Sequence, residues 1–345
     1  MRIGILAPVA WRVPPRHYGG WERVAHLLTE GLVQKGHEVT LFATGDSVTS
    51  ARLESVVPRP LEEDRTQPSR AAESLHIAHA YEHAAGGRLD VLHNHAGVYA
   101  TVLSRLTPTP VLTTLHGSAA ERDSRQLYAR YREQPYVSVT DAERELAPEL
   151  NYVATVYNGV DTEALPEPRE SPDEYLLYVG RISPDKGVHH AVRVAQLARR
   201  RLLISGIVAD GDRKYWETRI APMIDGEQIC FVGPTDTSRR NELMRGAFAF
   251  LHLIEYHEAF GLTMAEAMAA GAPVIAFPRG SVRELICEGE TGYIVCSAEE
   301  AAEALDKVPG FDRVRCAASA RERFSAEKMV EGYERAYESL LGARK

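Results

Sequence analysis

Two glutamates eight residues apart, Glu258 and Glu266, stand in the stretch EAFGLTMAEAMAAGAPVIAF, residues 258–277. If the residues between them are mostly helical, they lie roughly 12 Å apart along the axis. Carboxylates that flank one glycosidic bond sit about 5–9.5 Å apart. The spacing here suits two acceptors gripping opposite ends of an extended polar ligand. The amides of Gly261, Leu262 and Thr263 would open a helix between them, where an anion is favoured. Hydroxyl acceptor, anion site, hydroxyl acceptor is the order of a sugar, a diphosphate and a ribose. Two solvated surface glutamates satisfy the same spacing, and the residues alone leave both readings open.

Other residues invite the same double reading. Arg181 and Lys186 lie in GRISPDKG, between an apolar run that reads as a strand and the start of a helix. Two cations there suit a diphosphate; ordinary surface charge is the alternative. Gly19-Gly20 ends a loop before a helix, and glycines let a ligand approach the backbone closely; a merely flexible loop reads equally well. His116 follows the apolar run Val111–Leu115, and a lone histidine is more often structural than catalytic. His93 and His95 have no third ligand nearby and are read as no metal site. Asp210-Gly211-Asp212 resembles a metal-binding Asp-x-Asp, but sits in a polar loop and is read as a turn.

The elements that must position these residues are legible as two similar halves. In the first, Arg2–Val9 is a strand, Trp21–Lys35 a helix stopped by Gly36, and Val39–Ala43 a strand. That is a βαβ unit without the full G-x-G-x-x-G fingerprint, so a nicotinamide site is weakly supported. The polar, Pro-rich stretch 47–69 reads as a long connection. Helix Ala71–Ala85, strand Asp90–His93, helix Gly97–Leu106 and strands Val111–Leu115, Tyr136–Thr140 and Ala154–Tyr157 complete this half. EALPEPRESPDE, residues 163–174, is the candidate boundary. The second half restarts with strand Tyr175–Val179 and helix Val188–Arg200. Strands Leu202–Gly206 and Ile229–Gly233, helix Glu242–Gly246 and strand Ala247–Leu253 lead into helix Leu262–Ala270. Gly271 fits its left-handed cap, and Pro273 cannot continue it. Helices Ala298–Leu305, Asp312–Phe324 and Ala326–Leu341 close the chain.

EAFGLTMAEAMAAGAPVIA, followed by Gly280, Glu284 and EGETGYIV, resembles the signature of the retaining glycosyltransferases of family 4, of bacterial type, with a direct match to the Glu-x7-Glu motif at Glu258 and Glu266. The resemblance covers most of the chain and is strongest from Tyr175 to Val295. It implies the GT-B fold: two doubly wound, Rossmann-like α/β domains facing a cleft. The expected domains are 1–164 on the acceptor side, a linker 165–174, a donor-binding domain 175–325, and a last helix, 326–345, packed back on the first domain. The resemblance further implies that Arg181 and Lys186 bind the donor diphosphate, that His116 contacts the donor sugar, and that Gly19-Gly20 approaches diphosphate and acceptor. Glu258 would hold sugar hydroxyls and Glu266 the ribose. Phe260, Gly261, Leu262 and Thr263, with Gly206, complete the donor-binding set. The loop Pro234–Thr237 would meet the base. Leu253-Ile254 stand where the family commonly has Pro-Ser, which leaves the path of the loop before Glu258 open.

Composition agrees with such an enzyme. A chain of 345 residues suggests two domains. A formal net charge of −8 argues against a nucleic-acid partner. No apolar run reaches the ~20 residues of a membrane span, which leaves peripheral membrane contact open, and MRIGILAPVAW is too short for a signal peptide. The 4 cysteines have no metal-like spacing and read as reduced, mostly buried thiols of a cytoplasmic protein. The expected reaction is transfer of a hexose from a UDP- or GDP-linked donor to a hydroxyl of a lipid intermediate, polysaccharide or secondary metabolite, with no metal or other cofactor. No carboxylate presents itself as a covalent nucleophile, so same-face displacement is expected, a diphosphate oxygen taking the acceptor's proton. A nucleotide-sugar epimerase of the same fold and a non-catalytic nucleotide-sugar-binding protein are the alternatives.

Overall fold

The computed structural model describes residues 1–64, 66–117 and 122–342. They form two compact units, Met1–Gly159 with Ala326–Lys345, and Val160–Ser325. The strands of the first are β1 (Arg2–Leu6), β2 (Glu38–Phe42), β3 (Arg52–Glu54), β4 (Val91–Asn94), β5 (Val111–Thr114), β6 (Tyr136–Ser138) and β7 (Tyr152–Thr155). They pair in parallel in the order β3-β2-β1-β4-β5-β6-β7. Strands β4 and β5 are buried at every position, as a parallel sheet covered on both faces requires. The second unit has β8 (Tyr175–Val179), β9 (Arg201–Ser205), β10 (Ile229–Gly233), β11 (Ala249–His252), β12 (Val274–Ala276) and β13 (Gly292–Ile294), in the order β10-β9-β8-β11-β12-β13. Each sheet reverses direction of growth once, between β1 and β4 and between β8 and β11. Open α/β sheets bind ligands beyond the carboxyl ends of the strands at that point.

Helix Gly20–Gln34 buries Val24, Ala25, Leu28 and Leu32, the expected apolar stripe. Helix Ala326–Gly342 lies in the first unit. Its Val330 approaches Gly31 so closely that a Cβ there would meet Val330 Cγ2 at 2.5 Å. Glu334 on the same helix holds His37 at 2.9 Å and Lys35 at 3.5 Å.

Several elements differ from the sequence expectation, each for a physical reason. The connection 47–69 contains β3, a three-residue edge strand whose Arg-Leu-Glu has no apolar alternation to betray it. Helix 97–106 shortens to Val98–Thr101 followed by a 3-10 turn, Ser104–Leu106. Thr101 turns its hydroxyl inward to Asn94 and Thr113, and such side-chain bonds compete with helix continuation. Helix Thr237–Gly246 starts earlier than expected because Asp236 caps it, accepting from the Arg239 amide at 2.8 Å. Residues 165–174, expected as a linker, belong to the second unit. Arg245 and Arg321 bind the Glu167 and Pro166 carbonyls, and Leu165 is buried. Among the described residues no helix is long and apolar enough to cross a membrane. Cys230 and Cys316 are buried, Cys287 is half-buried and Cys296 exposed; all are free thiols.

Candidate functional site

In the second unit, the loops leaving β8 and β11 bring Lys186 and Glu258 together. Lys186 Nζ lies 3.4 Å from Glu258 Oε2, and the Tyr256 hydroxyl contacts both. His252, at the end of β11, places Nε2 3.8 Å from the same oxygen. Burial alone would push the Glu258 carboxyl up, but Lys186, His252 and Tyr256 outweigh it and hold the group below its ordinary range. Glu258 is therefore an ionised acceptor at neutral pH. Burial holds His252 down to about 4, so it is neutral at pH 7 and its charge acts on Glu258 only as the pH falls toward 4.

Backbone demands explain why this loop keeps its glycines. Gly261 adopts φ +85 and caps helix Leu262–Ala269, whose first amides lack partners within the helix. Leu262 and Thr263 open the helix and are half-buried. The side chain of Phe260 points into the core, edge-on to Phe324 at 5.7 Å, and its carbonyl accepts from Ser281. Gly206 follows β9, where a Cβ would meet the Gly180 carbonyl at 1.8 Å. The close approach of two loop backbones requires glycine there irrespective of ligand.

Arg181 is not a solitary cation. Asp185 Oδ2 lies 3.2 Å from Nη2 and Asp212 Oδ2 3.5 Å from Nε. The Asp210–Asp212 segment is a 3-10 turn, so the turn reading fits, yet its second carboxylate reaches the strand-exit arginine. Glu266 is likewise engaged: Arg240 Nη2 donates to Oε1 at 3.3 Å, and both side chains are buried. Arg240, 26 positions away on another helix, carries no sequence signal of this role.

In the first unit, His116 follows β5 and stacks on Trp21, one residue past Gly20 (centroids 5.3 Å apart). Gly19 has φ +138, and a Cβ on it would strike Pro15 at 2.9 Å. Ser118, two residues on, lies outside the described residues. His93 and His95, read from sequence as no site, form a buried relay behind His116. His116 Nε2 meets His95 Nδ1 at 3.0 Å, His95 Nε2 meets His93 Nδ1 at 3.3 Å, and His93 reaches Tyr337 at 2.6 Å and Thr114 at 2.7 Å. Burial pushes His116 down to about 3 and His93 and His95 well below the usual imidazole range, so the relay is neutral and its tautomers are coupled. Buried Glu143 fixes the loop beyond, accepting from the Gly117 amide at 2.6 Å and the Val139 amide at 2.9 Å.

Glu22 is buried two residues beyond Gly20 and accepts from the Trp11 amide at 3.2 Å. Burial raises its carboxyl to about 7. A folded-state pKa above the unfolded 4.5 means stability falls as pH rises from 4.5 through 7. Glu22→Gln keeps the acceptor oxygen and removes the charge. It is expected to stabilise the protein at pH 8 by about 3 kcal/mol and hardly at all at pH 4.5, read by urea titration at both pH values. Equal effects at the two would refute a buried ionising carboxyl.

Two family models match the chain, "Glycosyltransferase Family 4" over residues 18–164 and "Glycosyl transferases group 1" over residues 161–321. Glycogen synthase of Mycobacterium tuberculosis is 27% identical, over 94% of this chain and 90% of that protein. Phosphatidyl-myo-inositol mannosyltransferase of Mycolicibacterium smegmatis is 27% identical, over 99% and 95%. Among solved structures, sucrose-phosphate synthase from Thermosynechococcus elongatus superposes with a TM-score of 0.80 at 20% identity, covering 99% of this chain and 100% of that one. Anabaena Alr3699/HepE in complex with UDP-glucose superposes with a TM-score of 0.74 at 18% identity, covering 98% and 100%. At these identities the likeness shows the shared fold, two parallel-sheet, Rossmann-like α/β domains.

Proposed function

From a chain that belongs to the family 4 type of GT-B glycosyltransferases, we propose a retaining transfer of a hexose from a UDP- or GDP-linked donor to an acceptor hydroxyl, without a metal. The observation that carries this reading is the Lys186–Tyr256–Glu258 cluster at the β8/β11 reversal, beside the Gly261-capped helix. A half-buried cation next to an ionised carboxylate suits a ligand with a diphosphate beside hydroxyls. The UDP-glucose complex of the Anabaena neighbour supports a nucleotide-sugar donor.

The residues take these roles. Lys186, Arg181 and the amides at Phe260 to Thr263 stabilise charge growing on the leaving diphosphate. The diphosphate first displaces Asp185 and Asp212 from Arg181. Glu258 accepts from sugar hydroxyls, and Glu266, steadied by Arg240, accepts from the ribose. Gly206 keeps the loops around the donor close. Gly19 and Gly20 leave the backbone of the first unit open to the acceptor side. The acceptor oxygen bonds to the anomeric carbon on the face from which the diphosphate departs, and its proton passes to a diphosphate oxygen. His116 hydrogen-bonds the transferring sugar, and His95 acts through it by fixing the ring's tautomer. His95→Ala is expected to lower kcat about tenfold, ~1.4 kcal/mol, with the donor KM little changed. A change in KM alone would remove the relay from the reaction.

The test of the whole reading is a thermal-shift panel of UDP, GDP, ADP and TDP with their sugars, each with and without EDTA. Binding raises the melting temperature by mass action. A rise with UDP or GDP ligands that EDTA leaves unchanged, followed by an α-linked product from an α-linked donor, supports the proposal. No rise with any nucleotide, or transfer that EDTA abolishes, overturns it.

A further inference from the structure

Helix Ser69–Ala85 carries His79 and His83, four positions apart and therefore on one face. Strand β3 sets Glu54 against that face. Glu54 Oε2 lies 3.2 Å from His79 Nε2 and 3.8 Å from His83 Nε2. One ligand atom from each residue lies within 4.8 Å of the other two. The imidazoles meet at 4.7 Å between centroids and 64° between planes, a tilt that lets nitrogens from both converge on one point. Phe42 packs edge-on against both rings, at 5.8 and 5.2 Å, and so orders them. The three side chains keep between 11% and 23% of their surface exposed, so an ion could enter from solvent.

We infer that Glu54, His79 and His83 form a zinc-class divalent-cation site that clips edge strand β3 to helix Ser69–Ala85. Two imidazoles and one carboxylate are a donor set that zinc takes, with water in the fourth position. Tetrahedral bonds of about 2.0–2.2 Å put donor atoms roughly 3.3 Å apart, near the separations already present. A hydrogen bond explains less of the arrangement, because one carboxylate oxygen faces two ring nitrogens while only His79 is within bonding distance. The outer partners are in place too: Arg52 Nη2 holds the other oxygen, Glu54 Oε1, at 2.6 Å, leaving Oε2 for the ion. Arg88 Nη1 lies 3.4 Å from His83 Nε2; it is exposed and must swing aside. Two neighbouring guanidinium groups weaken the site. The site lies at the β3 edge, two strands from β1, and uses none of the residues assigned to transfer.

The test titrates the chelator-treated full chain with Zn2+ by calorimetry, and with Co2+ followed by its visible absorption. One equivalent is expected to bind, and Zn2+ at about 100-fold over Kd is expected to raise the melting temperature by roughly 5 °C or more. His79→Ala and Glu54→Gln, both at partly exposed positions, each lower Zn2+ affinity at least tenfold and leave transfer without added metal unchanged. His190→Ala, in the separate group His189, His190 and Glu255, leaves Zn2+ affinity as it was. Absence of binding to the unmodified chain, or binding that survives both His79→Ala and Glu54→Gln, overturns the inference.

Discussion

Between pH 7 and pH 4.5 the first unit is expected to lose more stability than the second. His93 and His95 are fully buried and held well below the usual imidazole range, and His76, bonded to the Ala7 carbonyl, is held at about 4; burial is the cause in each. For a depressed folded-state pKa, stability is present above the unfolded value of 6.5 and lost as pH falls below it. As the pH falls below 6.5, the unfolded chain takes up a proton at each of these histidines that the fold resists, and each adds to that loss. Glu22 acts in the opposite sense and returns part of the loss over the same window. His116 adds less than its shift suggests, because its ring is half-buried rather than enclosed. The second unit has one comparable group, His252, and loses less. Against domain stabilities of about 5–15 kcal/mol, the first unit should melt first in acid. Trp11 and Trp21 report on it and Trp216 on the second unit. In a Trp216→Phe variant the remaining fluorescence should shift to lower melting temperature steeply below pH 6. An acid-insensitive first unit, or a second unit that melts first, would show that these imidazoles are not held neutral by the fold.

The contrast between the two units also shows what the sequence could and could not reveal. Local chemistry was legible. Gly261 and Gly271, at φ +85 and +82, bracket the helix where apolar period and turn residues had placed its ends. Lys186 and Glu258 were recognisable because each sits in a short motif at a strand exit. Their mutual contact was not, because it joins positions 72 apart through the pairing of β8 with β11. Tyr256 stood two residues before the most informative stretch of the chain and carried no signal, since its role depends on where Lys186 arrives. Distance in sequence hid the histidine relay more thoroughly. His93 lies on β4 and His95 just beyond its end, an i, i+2 pair that read as no metal site for want of a third ligand. Their partner Tyr337 is 244 residues from His93, on a helix that returns to the first sheet. Burial, too, is a tertiary property: nothing local distinguishes Glu22, enclosed and shifted to about 7, from a solvated first-turn glutamate. The edge strand β3 and the Glu54, His79 and His83 cluster share that difficulty, because a three-residue strand has no period to detect.

Lys186→Ala is expected to lower kcat/KM for transfer by about a hundredfold or more, ~2.7 kcal/mol, the usual loss for one preorganised donor at a site of developing charge. Its effect should exceed that of Arg181→Ala. Arg181 is 37% exposed and already shared between Asp185 and Asp212, whereas Lys186 is more enclosed and faces a single carboxylate. The loss should fall mainly on kcat, since the charge to be stabilised is larger in the transition state than on the bound donor. A second consequence follows from Glu258. With Lys186 gone, burial is opposed only by His252 and Tyr256, so the carboxyl rises from its lowered position. The acidic limb of the kcat/KM profile should therefore move to higher pH in the variant. Lys186→Arg restores the charge but not the compact ammonium that fits between Tyr256 and Glu258, and should recover only part of the rate. Tyr256→Phe, which removes a hydroxyl and leaves both charges, should lose only a few-fold. Near-normal turnover in Lys186→Ala would detach this cluster from the chemistry. A fall in rate without the pH displacement would mean that Lys186 serves the diphosphate alone, with Glu258 held ionised by His252 and Tyr256.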